Sequence, residues 1–228
     1  MRACTCAPLH PTGVIYSNVL NGLDFTQILL LMVVLVASLS VHEAAHAWAA
    51  NLLGDPTARR LGRLTLNPAA HIDVIGTLIF PLVAISTNLP LIGWAKPVPV
   101  DFRNLRHPRR DFALVAAAGP ASNILMAVVG ATVLELAGGL DAARGGGVAA
   151  GVLLQFILLN VLLAVFNMVP VPPLDGGNVL MGLLPASGAA LIDRVRPYGF
   201  LLLYLLMLSG VLSAILRPVQ RFVLGWLL

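Results

Sequence analysis

A long apolar stretch from Phe25 to Leu53 constrains this chain more than any other feature of its sequence. As a helix it would extend about 42 Å, which exceeds the roughly 30 Å hydrocarbon core of a bilayer. The turn-forming cluster Gly54, Asp55 and Pro56 ends it. Of the 228 residues, 58% are hydrophobic and only 11% are charged, which is too apolar for an ordinary soluble domain. The chain is therefore predicted to be an integral membrane protein.

Further apolar runs divide the rest of the chain into helices. They cover about 112–137, 148–169 and 198–216, and each has roughly the length that a membrane span needs. The sequence thus predicts an all-α polytopic membrane protein with several spanning helices. We expect an amino-terminal segment over 1–24, one integral-membrane domain over 25–216 and a short tail over 217–228.

The run over 112–137 is rich in small residues. Gly119 lies early in it, and small residues at such positions let membrane helices approach closely. Close packing against another helix is therefore expected. Asn123, in the same run, is predicted to form a hydrogen bond to a neighbouring helix.

Two interpretations remain open for the segment between the first two long runs. Residues Ala58 to Pro68 alternate partly between polar and apolar, which indicates a short strand or hairpin at the membrane face. The apolar stretch 72–92 contains Pro81 and Pro90, so it is either a re-entrant excursion or an extra span.

Basic residues indicate the orientation of the chain in the membrane. The formal net charge is +4, but the basic residues lie in short loops beside apolar runs, which disfavours nucleic acid as a partner. Lys and Arg accumulate in cytoplasmic loops. The loops 54–71, 93–111 and 170–197 share one side only if 72–92 is re-entrant. The two cysteines, Cys4 and Cys6, are too few for a disulfide framework or a zinc knuckle.

The pentad HEAAH places three ionisable residues inside the first apolar helix. His42 and His46 are four residues apart, so they project about 40° apart on one helical face and can share a metal ion. Glu43 lies beside them and can act on a bound water. His42 precedes Leu53 by about 17 Å of helix, so the site should lie within the membrane, nearer the cytoplasmic end.

Asp175 is the candidate for a third metal ligand, because it follows a helix that Pro170, Pro172 and Pro173 break. Two histidines and one carboxylate leave a fourth zinc position open, as catalytic zinc sites do. Two other interpretations stay open on the residues alone. The polar groups could form a hydrogen-bonded cluster without metal, or they could mark the ion pathway of a membrane metal transporter.

The two motifs together resemble the site-2 protease family of intramembrane zinc metalloproteases. That family pairs HExxH with a later N-x-x-P-x-P-x-x-D-G motif, which the sequence FNMVPVPPLDGG over 166–177 matches. The matching positions are Asn167, Pro170, Pro172, Asp175 and Gly176. The segments AGPASN and GRLTLNP extend the resemblance over most of the chain.

The resemblance implies a three-helix catalytic core with one or more flanking helices, and a complete site. His42, His46 and Asp175 would bind one zinc ion, and Glu43 would be the general base. Asn167 would orient the substrate or stabilise the transition state, although an amide there could instead cap free backbone groups.

The implied reaction is hydrolysis of a peptide bond within or near a transmembrane segment of a membrane-protein substrate. The implied setting is a prokaryotic cytoplasmic membrane, with lipid as the other partner, and no PDZ or CBS domain is expected. A catalytically inactive scaffold of the same family is a further alternative. The substrate, the cleavage site and the oligomeric state are not predicted.

Overall fold

The computed structural model describes residues 25–87, 93–145 and 147–228, and regular structure in these ranges is entirely helical. The α-helices are α1 Phe25–Leu52, α2 Thr57–Arg60, α3 Phe80–Thr87, α4 Pro108–Leu136, α5 Gly139–Arg144, α6 Val148–Asn167, α7 Asp175–Leu183, α8 Ala186–Val195, α9 Gly199–Leu208 and α10 Val211–Leu227. A π-helix, Val74–Ile79, precedes α3, and 3₁₀ turns lie at Pro68–Ala70, Phe102–Asn104 and Arg196–Tyr198.

Among the described residues, α1, α4 and α6 are each long and apolar enough to cross a membrane. They pack on one another through small side chains. Ala127 and Ala131 of α4 lie against Ile157 and Val161 of α6 in one buried cluster. A Cβ at Gly130 would approach Ile157 to 3.0 Å, so this contact is already close. The expected all-α polytopic membrane protein with a three-helix core is confirmed.

The expected strand over 58–68 is wrong, because this part of the chain forms a helical turn and loops. Backbone N–H groups bond to carbonyls a few residues earlier, with Arg60 N–H donating to Pro56 O at 2.9 Å and Arg63 N–H to Ala58 O at 2.8 Å. Gly62 adopts a positive φ of 68°, which turns the chain back. Since these local bonds use the backbone groups, the polar–apolar alternation does not correspond to a sheet.

Asp55 fixes the turn that follows α1. Its fully buried carboxylate accepts hydrogen bonds from Thr57 N–H at 3.0 Å, Asn104 Nδ2 at 2.9 Å and Asp101 N–H at 2.8 Å. Burial alone would raise the pKa of Asp55, but the hydrogen bonds outweigh it and hold that pKa below its ordinary value. The ionised Asp55 therefore ties the end of α1 to the loop that leads into α4.

The 72–92 stretch begins with the π-helix and continues into α3. The described helix from Val74 to Thr87 is about 21 Å long and shorter than a bilayer core. Residues 88–92, including Pro90, lie outside the described residues, as do Cys4 and Cys6. The choice between a re-entrant segment and an extra span stays a prediction.

The apolar run over 198–216 was predicted to be one helix, but the structure has two helices there, α9 and the first part of α10. Gly210, at a φ of 76°, separates α9 from α10, and the segments Ala186–Leu208 and Val211–Leu227 meet at 77°. The bend lets Leu212 and Leu216 of α10 join a buried cluster with residues from the loop after α6. The residues expected to be a short tail belong to α10.

Candidate metal centre

His42 and His46 bring their Nε2 atoms to 3.1 Å from each other on one face of α1. Both side chains are buried. Asp175, the first residue of α7, places its Oδ2 3.1 Å from His42 Nε2 and 3.4 Å from His46 Nε2. The three residues named from the sequence as metal ligands therefore meet at one point. Among the described residues, these three form the one group of His, Cys, Asp or Glu side chains that lie close enough together to hold a metal ion.

The hydrogen bonds behind the two imidazoles show that the site fits a cation. His42 Nδ1 lies 2.5 Å from Asn123 Oδ1, and His46 Nδ1 lies 2.7 Å from the carbonyl oxygen of Val115. Since both partners are acceptors, each Nδ1 carries the hydrogen and each Nε2 presents a lone pair to the centre. Asp175 Oδ2 is buried and accepts no hydrogen bond from any described residue. Three electron-pair donors with no hydrogen between them suit Zn²⁺.

A chain of hydrogen bonds through three helices supports His42. Asn123 of α4 donates from Nδ2 to Asn160 Oδ1 at 2.8 Å, and Asn160 of α6 donates to Ser38 Oγ of α1 at 3.0 Å. All three side chains are fully buried. The predicted interhelical bond of Asn123 is present. Its contact with His42 and the part played by Asn160 were missed, although an amide inside an apolar helix is itself a signal of a polar partner.

Gly119 lets α4 approach the two imidazoles. A Cβ at this position would lie 2.6 Å from His42 Nε2 and would also overlap His46. The close helix packing expected at Gly119 is therefore directed at the metal site. The neighbouring Val115 carbonyl, one turn earlier on α4, is the acceptor for His46.

The turn between α6 and α7 sets the position of Asp175. A Cβ at Gly176 would lie 2.5 Å from Val169 O, and one at Gly177 would lie 2.8 Å from Pro172 N. These two glycines allow the start of α7 to pack directly against the proline-containing turn. This packing helps to place Asp175 next to His42 and His46.

Glu43 faces the same cavity as the proposed ligands. The cavity has a volume of about 380 Å³ and is bordered by His42, His46, Glu43 and Asp175 on one side. Glu43 Oε2 accepts a hydrogen bond from Val98 N–H at 3.1 Å. The carboxylate is thus beside the metal centre and is held by a backbone group from the loop before α4.

Asn167 also borders this cavity, at the last residue of α6. Its Nδ2 donates to the carbonyl oxygen of Leu163 at 3.0 Å, one turn earlier in the same helix. Asn167 thus bonds to its own helix and also lines the cavity, and its role towards a substrate stays a prediction.

The fold and the site define a class of protein, namely a helical membrane protein in which two buried histidines and one carboxylate could hold a metal ion, with a glutamate on the same cavity. Residues 136–210 match the model of peptidase family M50. This range includes Asn167 and Asp175, whereas the histidine pair lies before it.

Proteins of known sequence extend the match over the histidine pair. The chain is 36% identical over 192 residues to the "Putative zinc metalloprotease YwhC" of Bacillus subtilis (strain 168), which covers 82% of this chain and 84% of the relative. It is 26% identical over 202 residues to the "Putative zinc metalloprotease Rip2" of Mycolicibacterium smegmatis, which covers 87% of this chain and 74% of that relative. No solved structure matches the chain.

The chain belongs to peptidase family M50. It is a zinc metalloprotease and an integral membrane protein, as the sequence predicted.

Proposed function

We propose that this protein is an intramembrane endopeptidase that hydrolyses a peptide bond within or near a transmembrane segment of a membrane-protein substrate. The observation that carries the proposal is the position of the site. The Nε2 atoms of His42 and His46, Asp175 Oδ2 and the Glu43 carboxylate converge on one cavity, and both histidines lie inside a helix long enough to span a membrane. A polypeptide in the membrane is the substrate that such a buried site can reach.

His42, His46 and Asp175 are the proposed zinc ligands. Bound zinc supplies Lewis acidity, which lowers the pKa of a water molecule and polarises a peptide carbonyl. Glu43 accepts the proton of the attacking water and then delivers it to the leaving amine. Val98 N–H holds one oxygen of Glu43 in place while this happens.

Asn167 and the apolar walls of the cavity are proposed to contact the substrate. The walls include Leu39, Phe112, Ala116 and Phe166, which suit the side chains of a transmembrane segment. Asn167 can donate or accept a hydrogen bond at the peptide backbone and so orient the carbonyl for attack.

The proposed setting is a prokaryotic cytoplasmic membrane. His42 precedes the end of α1 by about 15 Å, so the site lies below the surface on the side where α1 ends. The loops on that side contain Arg59, Arg60, Arg103 and Arg106, and basic loops face the cytoplasm. The active site would therefore be nearer the cytoplasmic face.

Glu43→Gln tests the role of the general base. Cleavage of a fluorogenic polypeptide with one apolar transmembrane segment should fall by about 10²- to 10⁴-fold, because the amide cannot accept the water proton. Zinc per chain, measured on detergent-purified protein, should remain near one, since Glu43 is not a proposed ligand. Glu135→Gln, on the exposed far end of α4, provides the matched control with the same chemical change.

Asp175→Ala tests whether the HEAAH motif and the later motif that contains Asp175 bind the same metal ion. This variant should lose zinc as well as cleavage. Cleavage by Glu43→Gln at the rate of Glu135→Gln would remove Glu43 from its proposed role. Unchanged zinc in Asp175→Ala would show that the two motifs do not share a metal.

A further inference from the structure

Residues 94–98 lie between Glu43 and the loop after α2, and they contact both. The segment has no regular structure of its own. It nevertheless has partners for its backbone groups along its length, and these partners lie on two sides. We refer to it as the 94–98 segment.

The first side is the π-helix Val74–Ile79 and the loop that precedes it. Trp94 N–H donates to Gly76 O at 3.1 Å, and Trp94 O accepts from Thr77 Oγ1 at 2.8 Å. Lys96 N–H donates to His71 O at 2.8 Å. These bonds place the amino-terminal half of the 94–98 segment.

Arg63 holds the other half. Its guanidinium donates through Nη2 to the carbonyl oxygens of Lys96 and Pro97, the latter at 3.1 Å, and through Nη1 to that of Ala70. The side chain is 7% exposed. Burying an arginine is costly unless its donors are used. Here Nη1 and Nη2 donate to backbone carbonyls, while the buried Nε has no hydrogen-bond partner among the described residues. The two terminal nitrogens thus hold two stretches of chain together.

The second side of the segment is α1. Ala95 is buried in a cluster with Leu35 and Leu39 of that helix, and Leu39 lies one turn before Glu43. Val98 N–H then donates to Glu43 Oε2 at 3.1 Å. The position of this N–H relative to Glu43 therefore depends on the carbonyls immediately before it, which are the ones that Arg63 binds.

We propose that Arg63 is a positioning residue for Glu43, acting through the 94–98 segment. Arg63 fixes the carbonyls of Lys96 and Pro97, the segment presents Val98 N–H to Glu43, and this bond orients the carboxylate towards the metal centre. The inference rests on the proposed role of Glu43 as general base. Arg63 lies in the loop after α2, is not a proposed metal ligand and does not border the cavity. The inference nevertheless gives it an effect on catalysis.

Val98→Pro removes the N–H that Glu43 accepts. Val98 precedes Pro99, which disfavours the α region for its backbone and favours extended conformations that proline can also adopt. Val98→Ala keeps the N–H and shortens the side chain. With the same fluorogenic polypeptide, kcat of Val98→Pro should be at least about tenfold below that of Val98→Ala, since small misplacements of a catalytic group cost up to about 10²-fold. Both variants should retain zinc.

Arg63→Gln tests whether Arg63 fixes the 94–98 segment. Arg60→Gln is its control, because it removes the same charge from an exposed site three residues earlier, at the end of α2. Hydrogen exchange should be faster over residues 94–98 in Arg63→Gln than in Arg60→Gln. Its kcat should be lower by about 10- to 100-fold, with KM and zinc per chain unchanged. Arg63→Lys should fall between them, because one ammonium cannot span the three carbonyls in the guanidinium geometry.

Several results would overturn the inference. Equal exchange over 94–98 in Arg63→Gln and Arg60→Gln would do so without any substrate. A Val98→Pro variant at least as active as Val98→Ala would show that the segment obstructs the site or is irrelevant to it. Loss of zinc together with activity in Arg63→Gln would assign Arg63 a structural role only.

Failure of this inference is distinguishable from failure of the proposed function. An active Glu43→Gln variant refutes the general-base role of Glu43 that the proposed function includes. An inactive Glu43→Gln variant together with a fully active Arg63→Gln variant refutes the role of Arg63 alone.

Discussion

His42 and His46 belong to the regular interior of α1, whereas Asp175 begins α7 directly after a proline-rich turn. The histidine pair is aligned by its four-residue spacing, which any α-helix would convert into one face. Asp175 has no such local rule. Its place depends on the backbone contacts of Gly176 and Gly177 with the turn.

The difference separates two ways of building one metal site. The histidine half of the site, His42 and His46, follows from local helix geometry. The rest of the protein contributes chiefly the space around the two rings and the hydrogen bonds that orient them. The carboxylate half is encoded by tertiary packing, so its geometry depends on residues that carry no chemistry. Substitutions that add a single methyl group can therefore test each half separately.

Gly119→Ala should have the largest effect, because it acts on the histidine half. The new Cβ would overlap both imidazoles, and neither ring can turn away without losing its Nδ1 bond. We expect zinc retention to be lost and stability to fall by about 1–3 kcal/mol. Zinc per chain and thermal unfolding in detergent measure the two effects.

Gly151→Ala is the matched control for Gly119→Ala, because a Cβ there meets nothing within 4 Å. Stability should be unchanged or rise by up to about 1 kcal/mol, since alanine is the better helix former. Normal zinc in Gly119→Ala would mean that α4 can move away from α1, and the contrast between the halves would disappear.

Gly176→Ala should have a smaller effect, confined to the carboxylate half. Its Cβ would collide with backbone oxygens of Met168 and Val169, which cannot rotate away as a side chain does. Displacement of Asp175 should weaken zinc binding beyond the roughly 10- to 100-fold typical of a lost outer partner, while the histidine pair still gives residual binding. Chelator competition measures the affinity, and Gly225→Ala, with open space around it, is the control.

Asn123→Ala should have the smallest effect of the three. It removes the acceptor for His42 Nδ1 but leaves all three ligands, so zinc affinity should fall by about 10- to 100-fold. Ser122→Ala is the control, because that hydroxyl bonds within its own helix to Gly119 O. If the two variants bound zinc equally well, the histidine half would be set by helix spacing alone.

The sequence predicted the parts of this structure that follow from local rules. Apolar length indicated α1, α4 and α6, and the HExxH spacing indicated the histidine pair. Asp175 was identified through its motif and the family resemblance, because no local rule connects it with α1. The meeting of Asn160 with Ser38 was not predictable, since it depends on how α1 and α6 are rotated against each other.

The strand predicted over 58–68 is absent, and the break at Gly210 within 198–216 was not predicted, in both cases for physical reasons that lie outside the periodic pattern. In 58–68, short-range hydrogen bonds and the positive φ of Gly62 produce turns. The polar–apolar alternation there forms no strand, because no partner strand among the described residues pairs with it. In 198–216, apolarity gave no sign of the break at Gly210, because both sides of the bend are equally apolar. Periodicity indicates which residues prefer apolar surroundings. It does not indicate where the chain changes direction, which here depends on single glycines and local hydrogen bonds.

The hydrogen-bond chain from Ser38 through Asn160 and Asn123 to His42 also bears on how the three long helices assemble. Apolar helix surfaces offer many similar packings in lipid, because the lipid tails are as apolar as the helices. Sliding one helix by a single residue, about 1.5 Å, would break this chain and leave buried amides unpaired, at about 1–3 kcal/mol each. The residues that orient the metal site thus also select one register of α1, α4 and α6 during folding.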